Sequence, residues 1–468
     1  MEDTIVHGKG LRAQAAGVLR LGLPMLGGMA FDTLYSLTDS FFAARVGGGP
    51  EAALAAIGAA GPLFFLMVAL AQGIAAGVMV ESASASGAAG GKGDRPALER
   101  IASTGSLVAL VGGLLMGLAF AMAARPLLSF FGGAAAVGAI LSEGTVYLLY
   151  IAPGLPCLFL GHALFSLRQG EGLTKRYGIA MAASTAANAI LDPIFMLVLG
   201  MGIKGNALGT SLSQALFLLL AILAFRADEG SGAFTFQIKG ASKDRARRIL
   251  AIGLPQSLAF VAIGVAQAGA NIILASRGPA ALAAHTIAVR FEGIALVPCL
   301  AFASAACVLI AQARGAGGRG EDAWRGGLAV IGLGSAIVCG ALAAFSLPLS
   351  SLIAGDAGLG AKAAVGARWL ALGSAIGHAS GIFGAQVLLG LGKPLKSLAV
   401  QVLRLILLPL PLAWLAGRIP FASAYWSGPA SAWAGLALGL VVGGLASLAM
   451  ARSALRSGSM APGRNVNN

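Results

Sequence analysis

Twelve times along this chain, about 20 consecutive residues pass with almost no charged side chain, the length an α-helix needs to cross the hydrocarbon core of a bilayer. The spans fall near residues 15–42, 53–79, 101–123, 143–166, 177–199, 206–225, 250–274, 280–310, 327–352, 365–389, 395–416 and 430–451. Only 11% of the 468 residues are charged and 57% are hydrophobic, with a mean hydropathy of +0.85. A soluble domain carries roughly 25% charge, and no soluble fold of this length buries so much apolar side chain. The expected fold is therefore all-α: a polytopic membrane protein with twelve transmembrane helices.

The loops between spans test that count. Basic residues gather in alternate loops: Lys9 and Arg12; Lys92, Arg95 and Arg100; Arg168, Lys175 and Arg176; six between Arg226 and Arg248; Arg314, Arg319 and Arg325; Lys393 and Lys396; Arg452 and Arg456. The intervening loops are poorer. Basic loops stay on the cytoplasmic side, so both termini are expected there, in the cell (inner or plasma) membrane. The net charge of +14 then orients the chain and does not imply nucleic acid. Met1–Arg20 holds no apolar core with a cleavage site, so no removable signal is expected. The 69 glycines suit close helix packing in lipid. The four cysteines lie in apolar runs without metal-like spacing and read as small core residues.

The longest polar stretch, Ala227–Arg248, divides the chain into a six-helix lobe at 1–226, a cytoplasmic linker at 227–248 and a second six-helix lobe at 249–456. A tail at 457–468 is expected to be disordered. A repeat crosses the divide. Leu21-Gly22-Leu23-Pro24 matches Ile252-Gly253-Leu254-Pro255, Ala52–Ala56 matches Ala280–Ala284, and Gly170-Glu171-Gly172 pairs more weakly with Gly390-Leu391-Gly392. Both halves start on the same side, which predicts two pseudo-symmetric bundles related by an axis along the membrane normal.

Ionisable groups inside a membrane are costly and mark function by default. Asp32 and Asp39 are seven residues apart on one helix face, and Asn188 and Asp192 are four apart on another. Pro193 removes a backbone donor and should free a nearby carbonyl. Carboxylates, an amide and a carbonyl are hard oxygen ligands that suit Na⁺ or a proton, and Thr210 offers a hydroxyl. Plainer readings stand beside these. Asp39 can face water or pair with Arg45, Asp192-Pro193 can be a kink, and Asp32 can be an ordinary polar lining. Arg290 and Glu292 do not face each other, and His162 and His378 read as satisfied core or interface histidines. Equivalent acids are missing from the second half, which offers Gln267, Asn271, Gln386 and His378. There is no Walker-type loop, no His-Glu-x-x-His and no Gly-x-Ser-x-Gly, so neither an ATP motor nor a familiar hydrolase is indicated. The chain reads as a transporter, not an enzyme, and no cofactor is expected beyond a coupling ion.

The residues themselves resemble a known family, the multidrug and toxic compound extrusion (MATE) transporters. The likeness rests on Leu34–Asp39, Gly73–Gly77, Leu167–Lys175, Asn188–Phe195 (the most specific segment), Gly202–Thr210 and Ala283–Ala288. The resemblance implies an antiporter that exports cationic or amphipathic compounds in exchange for Na⁺ or H⁺ by rocking-bundle alternating access. It implies a coupling site at Asp39, Asn188, Asp192 and Thr210, which would hold Na⁺ if the chain is sodium-coupled. It leaves Asp32, Ser36, Gln267 and Glu292 as substrate-path candidates. The second-half acids of one bacterial branch are missing, which brings the chain closer to the branch of DNA-damage-inducible protein F. Asp32 and Ser36 stand where relatives often carry Gln and Asn, a departure that favours protons or a cationic substrate. The expected partners are a small organic substrate and membrane lipid, with no nucleic acid, and a monomer suffices. A lipid-linked oligosaccharide flippase of the same architecture is the alternative, though it should line its cavity with basic residues. An ion channel or a membrane scaffold is the remaining rival.

Overall fold

The computed structural model describes residues 10–43, 50–90, 95–132, 138–226, 240–318, 320–354, 356–416, 418 and 429–457; the side chains of 31–43, 50–59, 61, 62, 131, 132 and 139 are outside that description. The tail beyond residue 457 and most of the polar stretch, 227–239, lie outside the described residues too. Everything described is helix or short connection.

The long helices are α1 (Leu11–Ala43), α2 (Pro50–Ala88), α3 (Arg95–Gly132), α4 (Ile140–Gly170), α5 (Lys175–Val198), α6 (Ile203–Arg226), α7 (Lys243–Ala275), α8 (Pro279–Gly315), α9 (Glu321–Ala344), α10 (Ala357–Gly390), α11 (Pro394–Ala416) and α12 (Pro429–Ser457), with a shorter helix, Ser346–Ala354, between α9 and α10. Among the described residues eleven of these are long and apolar enough to span a membrane, and α1 makes the twelfth. Several run well past their apolar stretches. α2 continues through Glu81 to Ala88 because its polar end still packs on a neighbour: Ser82 Oγ donates to the Leu167 carbonyl at 2.8 Å.

Contacts divide the chain into two units, residues 24–257 and residues 1–23 with 258–468. The cuts fall in α1 and α7, beside the repeated Pro24 and Pro255. Each of these helices therefore contributes its first turns to one unit and the rest to the other.

In the unit of residues 24–257, Gly73 and Gly77 put a bare stripe on α2 against the start of α7. A Cβ on Gly73 would lie 1.9 Å from Ser257 Oγ and 2.5 Å from the Gly253 carbonyl, and one on Gly77 would lie 2.3 Å from the Ile249 carbonyl. Small residues four apart are the standard means of bringing two helix backbones together in lipid. In the other unit, Gly435, Gly439 and Gly443 on α12 do the same against α11. A Cβ at these positions would come within 2.6, 2.3 and 2.5 Å of Ala413, Pro409 and Arg404. Of the cysteines, 299, 307 and 339 are buried, 157 is half-buried, and all four are free thiols.

The weakest sequence match of the repeat is a strong structural one. Gly172 (φ +90°) and Gly392 (φ +70°) both turn left-handed after a helix end. Gly172 donates to the Gln169 carbonyl and Leu173 to Arg168, while Gly392 donates to Leu389 and Lys393 to Leu388, all at 2.8–2.9 Å. These are two copies of one C-terminal cap, with glycine at the position that needs positive φ. Gly170 packs on the Met79 carbonyl of α2 at the first, and Gly390 on the Cys307 carbonyl of α8 at the second. Gly172→Ala and Gly392→Ala should each lower the thermal stability of the detergent-solubilised protein by about 1–2 kcal/mol. Gly340→Ala, where a Cβ meets open space, should cost nothing.

Candidate functional site

Asn188 and Asp192 sit one turn apart on α5, Asn206 and Thr210 one turn apart on α6, and all four are completely buried. Two features of α6 and one of α5 bring them together. Gly205 and Gly209 carry no side chain where α5 passes; a Cβ on Gly209 would lie 2.5 Å from Asp192 Oδ1, and one on Gly205 2.6 Å from the Phe195 backbone. Pro193 ends the regular helix after Asp192, and the next turn, Ile194–Val198, is a π-turn. Such turns inside α-helices recur at functional sites.

Asp192 accepts two side-chain hydrogen bonds. Asn188 Nδ2 donates to Oδ1 at 3.1 Å, and Asn206 Nδ2 donates to Oδ2 at 3.2 Å. Both amides turn their nitrogens to the carboxyl oxygens. Their oxygens consequently point elsewhere. Asn188 Oδ1 and Asn206 Oδ1 are buried with no partner among the described protein atoms. A buried carbonyl oxygen left unsatisfied costs roughly 1–3 kcal/mol. Both oxygens belong to the two amides that hold the Asp192 carboxylate, and amide and carboxylate oxygens are the hard donors that a small monovalent cation takes.

Three of the four expected coupling residues are described: Asn188 is hydrogen-bonded to Asp192, and Thr210 is buried one turn along α6 from Asn206, which holds the other carboxylate oxygen. Asp39, Asp32 and Ser36 lie on α1, but their side chains are outside the described residues. Asn206 was not singled out from the sequence. Its signal was there: Asn206 and Thr210 are spaced four apart, like Asn188 and Asp192.

Gln267 and Glu292, the other two candidates, line a different cavity, of about 60 Å³, wholly within the second unit. Glu292 Oε1 lies 2.9 Å from His378 Nε2, and His378 Nδ1 lies 2.9 Å from Arg404 Nη1. Arg404 Nε donates to Gln401 Oε1. His378 closes a π-turn at Ser374–His378, and Arg404 lies in another at Leu403–Leu407. His378 is thus satisfied on both nitrogens, as expected of a buried histidine, but by charged partners. His162 is an ordinary core histidine against Phe217, with ring centroids 5.1 Å apart. Arg290 is exposed. No cluster of three or more metal-ligating His, Cys, Asp or Glu exists among the described residues.

Known proteins of similar sequence are exporters and transporters by name. A FAD transporter of Shewanella oneidensis is 28% identical over 86% of this chain and 88% of its own length. A probable multidrug resistance protein NorM of Burkholderia mallei is 30% identical over 70% and 68%. A multidrug export protein MepA of Staphylococcus aureus is 24% identical over 58% of each chain. Among solved structures, a MATE protein in its straight conformation superposes with a TM-score of 0.85 at 22% identity, over 98% of this chain and 99% of that one. A MOP-superfamily transporter of Pyrococcus furiosus, described as having a binding pocket of reversed polarity, gives 0.80 at 23% over 98% of each. The family model described as MatE matches residues 24–194 and again 255–415. Its two copies begin at the two prolines of the internal repeat. With that double match over most of its length, this twelve-helix membrane protein belongs to the MatE family, a family of transporters and not of enzymes.

Proposed function

We propose that the chain is a secondary active antiporter that exports cationic or amphipathic organic compounds in exchange for Na⁺ or H⁺. The observation that carries this reading is the pair of orphaned amide oxygens, Asn188 Oδ1 and Asn206 Oδ1, beside the buried carboxylate of Asp192. A cation entering there meets two neutral oxygens and a full negative charge, with the Thr210 hydroxyl close by in sequence register. It neutralises a buried acid that is otherwise expensive to keep ionised in a membrane. Neutralisation of α5 is the event that alternates the protein between a cation-loaded and a substrate-loaded state. Each charge moving down a 100 mV potential contributes about 2.3 kcal/mol. Asp39 joins this site in our reading, and Asp32, Ser36, Gln267 and Glu292 line the substrate path.

The names of the multidrug relatives support organic cations and amphiphiles as substrates. The Shewanella relative supports a second reading, in which the exported compound is a flavin dinucleotide. The protein works as a monomer in the cell's inner or plasma membrane with both termini in the cytoplasm, as the alternation of basic loops indicates.

Cation occupancy tests the site without knowledge of the substrate. A ligand that binds only the folded state at 100 times its Kd adds about 2.7 kcal/mol. The melting temperature of the detergent-solubilised protein should rise in Na⁺ relative to choline at equal ionic strength if Na⁺ is the coupling ion. If H⁺ is, it should instead respond to pH and be indifferent to Na⁺. Either response should vanish in Asp192→Asn. A response to neither ion, or one that survives in Asp192→Asn, would remove the proposed site.

A further inference from the structure

The cavity bordered by Gln267, His285, Glu292 and His378 carries a buried charge network that the α5–α6 site does not use. Its proton positions follow from donor chemistry. A guanidinium has donors only, so Arg404 Nη1 donates to His378 Nδ1. The neutral ring then holds its proton on Nε2 and donates it to Glu292 Oε1. Arg404 is 1% exposed and cannot be reached from the cavity. His378 has both nitrogens engaged. Of the two members that line the cavity, Glu292, with its side chain 12% exposed, is the one with an oxygen outside the network.

A second polar group on the same wall calls independently for water. Trp433 Nε1 donates to His285 Nδ1 at 3.2 Å, so the neutral His285 ring carries its proton on Nε2. That nitrogen is buried, with no hydrogen-bond partner among the described residues, and His285 is only 2% exposed. An unsatisfied buried donor is costly, and a cavity of about 60 Å³ has room for a few waters at roughly 10–15 Å³ of probe space each.

We propose that this cavity is a hydrated proton-binding site in the second unit, with Glu292 as the acceptor and His378 and Arg404 as positioning residues. A proton leaves a cavity hydronium, forms the O–H bond on the free carboxylate oxygen of Glu292 and leaves a neutral water behind. Before the step, Glu292 and Arg404 neutralise each other through His378; after it, Arg404 is a buried cation without a counter-charge. That state is unfavourable and strains the contact between the two π-turns that carry His378 and Arg404. Proton uptake therefore has a mechanical output where the helices are least regularly bonded. The titratable and charged groups set against Glu292 among the described residues are His285 from its own helix, His378 from α10 and, through His378, Arg404 from α11; Cys299 and, on α9, Cys339 are engaged with Ser335. With Arg404 already balancing the carboxylate, a metal cation is the poorer occupant. The site deepens the antiport reading by adding a proton to the transport cycle, but it stands on geometry confined to one unit.

Infrared difference spectroscopy of the full chain in lipid vesicles, recorded against pH, reads the step without any transport. The wild type should show a protonated-carboxyl band that grows as pH falls. Glu292→Gln should lose part of that band while Asp192→Asn keeps that part, and Glu292→Asp should restore it at a changed frequency. Arg404→Gln should displace its pH dependence, because it removes the positive charge that Glu292 meets through His378. Superimposable spectra for the wild type and a folded Glu292→Gln or Glu292→Asp would overturn the proton site. An unmoved band in Arg404→Gln would overturn the positioning role. Neither result depends on the exported compound, so failure here is distinguishable from failure of the antiport reading.

Discussion

Cells carrying Asp192→Asn at wild-type membrane abundance are expected to lose export completely, with resistance and substrate accumulation equal to those of cells without the protein. The substitution keeps the shape of the side chain and removes its charge. Asp192 accepts from two amide nitrogens; an asparagine can accept on one arm only, so one neighbouring amide has to flip and present its oxygen to the new NH₂. The hydrogen bonds are largely preserved by that flip, and the helices, held by Gly205 and Gly209 against α5, have no reason to separate. What disappears is the negative charge and one of the two orphaned oxygens. Monodisperse, membrane-inserted protein with no export is therefore the predicted phenotype. A folded Asp192→Asn protein that exports normally would contradict the role given to the site.

Glu292→Leu is expected to lower stability by about 1–3 kcal/mol, because it leaves the His378 Nε2–H without its acceptor and Arg404 without the counter-charge it meets through His378. Arg404 cannot move to water: it is 1% exposed, and a Cβ on Gly443 or Gly381 would lie only 2.5 Å from its Cα and Cδ. The double variant Glu292→Leu with Arg404→Met should recover most of the loss, since apolar replacement of a whole buried pair is often neutral or better. Thermal denaturation of the solubilised single and double variants measures both. Equal losses in the two would mean that the network contributes packing and not charge balance.

The twelve helices and their pseudo-symmetry were legible because lipid imposes a length and a polarity that few residues can disguise. Polar composition points to Ala227–Arg248, whereas packing changes hands at Pro24 and Pro255, where glycines on α2 draw the start of α7 into the first unit. The α5 part of the proposed ion site could be read from one helix, since Asn188, Asp192 and Pro193 lie within two turns. Asn206 was hidden because its partner lies on the next helix, and only the shared four-residue spacing pointed to it. The Glu292–His378–Arg404 network was illegible for a stronger reason. Its members come from three helices more than twenty residues apart in the chain, and two sit in π-turns that shift the helical phase by a residue. A search of the second half for acids matching those of the first passes over it, because the second half solves its charge balance with an arginine and a histidine.

Ethidium uptake into proteoliposomes, driven separately by a Na⁺ gradient and by a proton gradient, with FAD as a second probe and Asp192→Asn as control, tests the central claim most directly. Cation-coupled antiport predicts accumulation driven by at least one of the two gradients and abolished in Asp192→Asn. Folded protein that accumulates neither probe with either ion, or that does so equally well without Asp192, would contradict it and would make lipid flipping the leading reading.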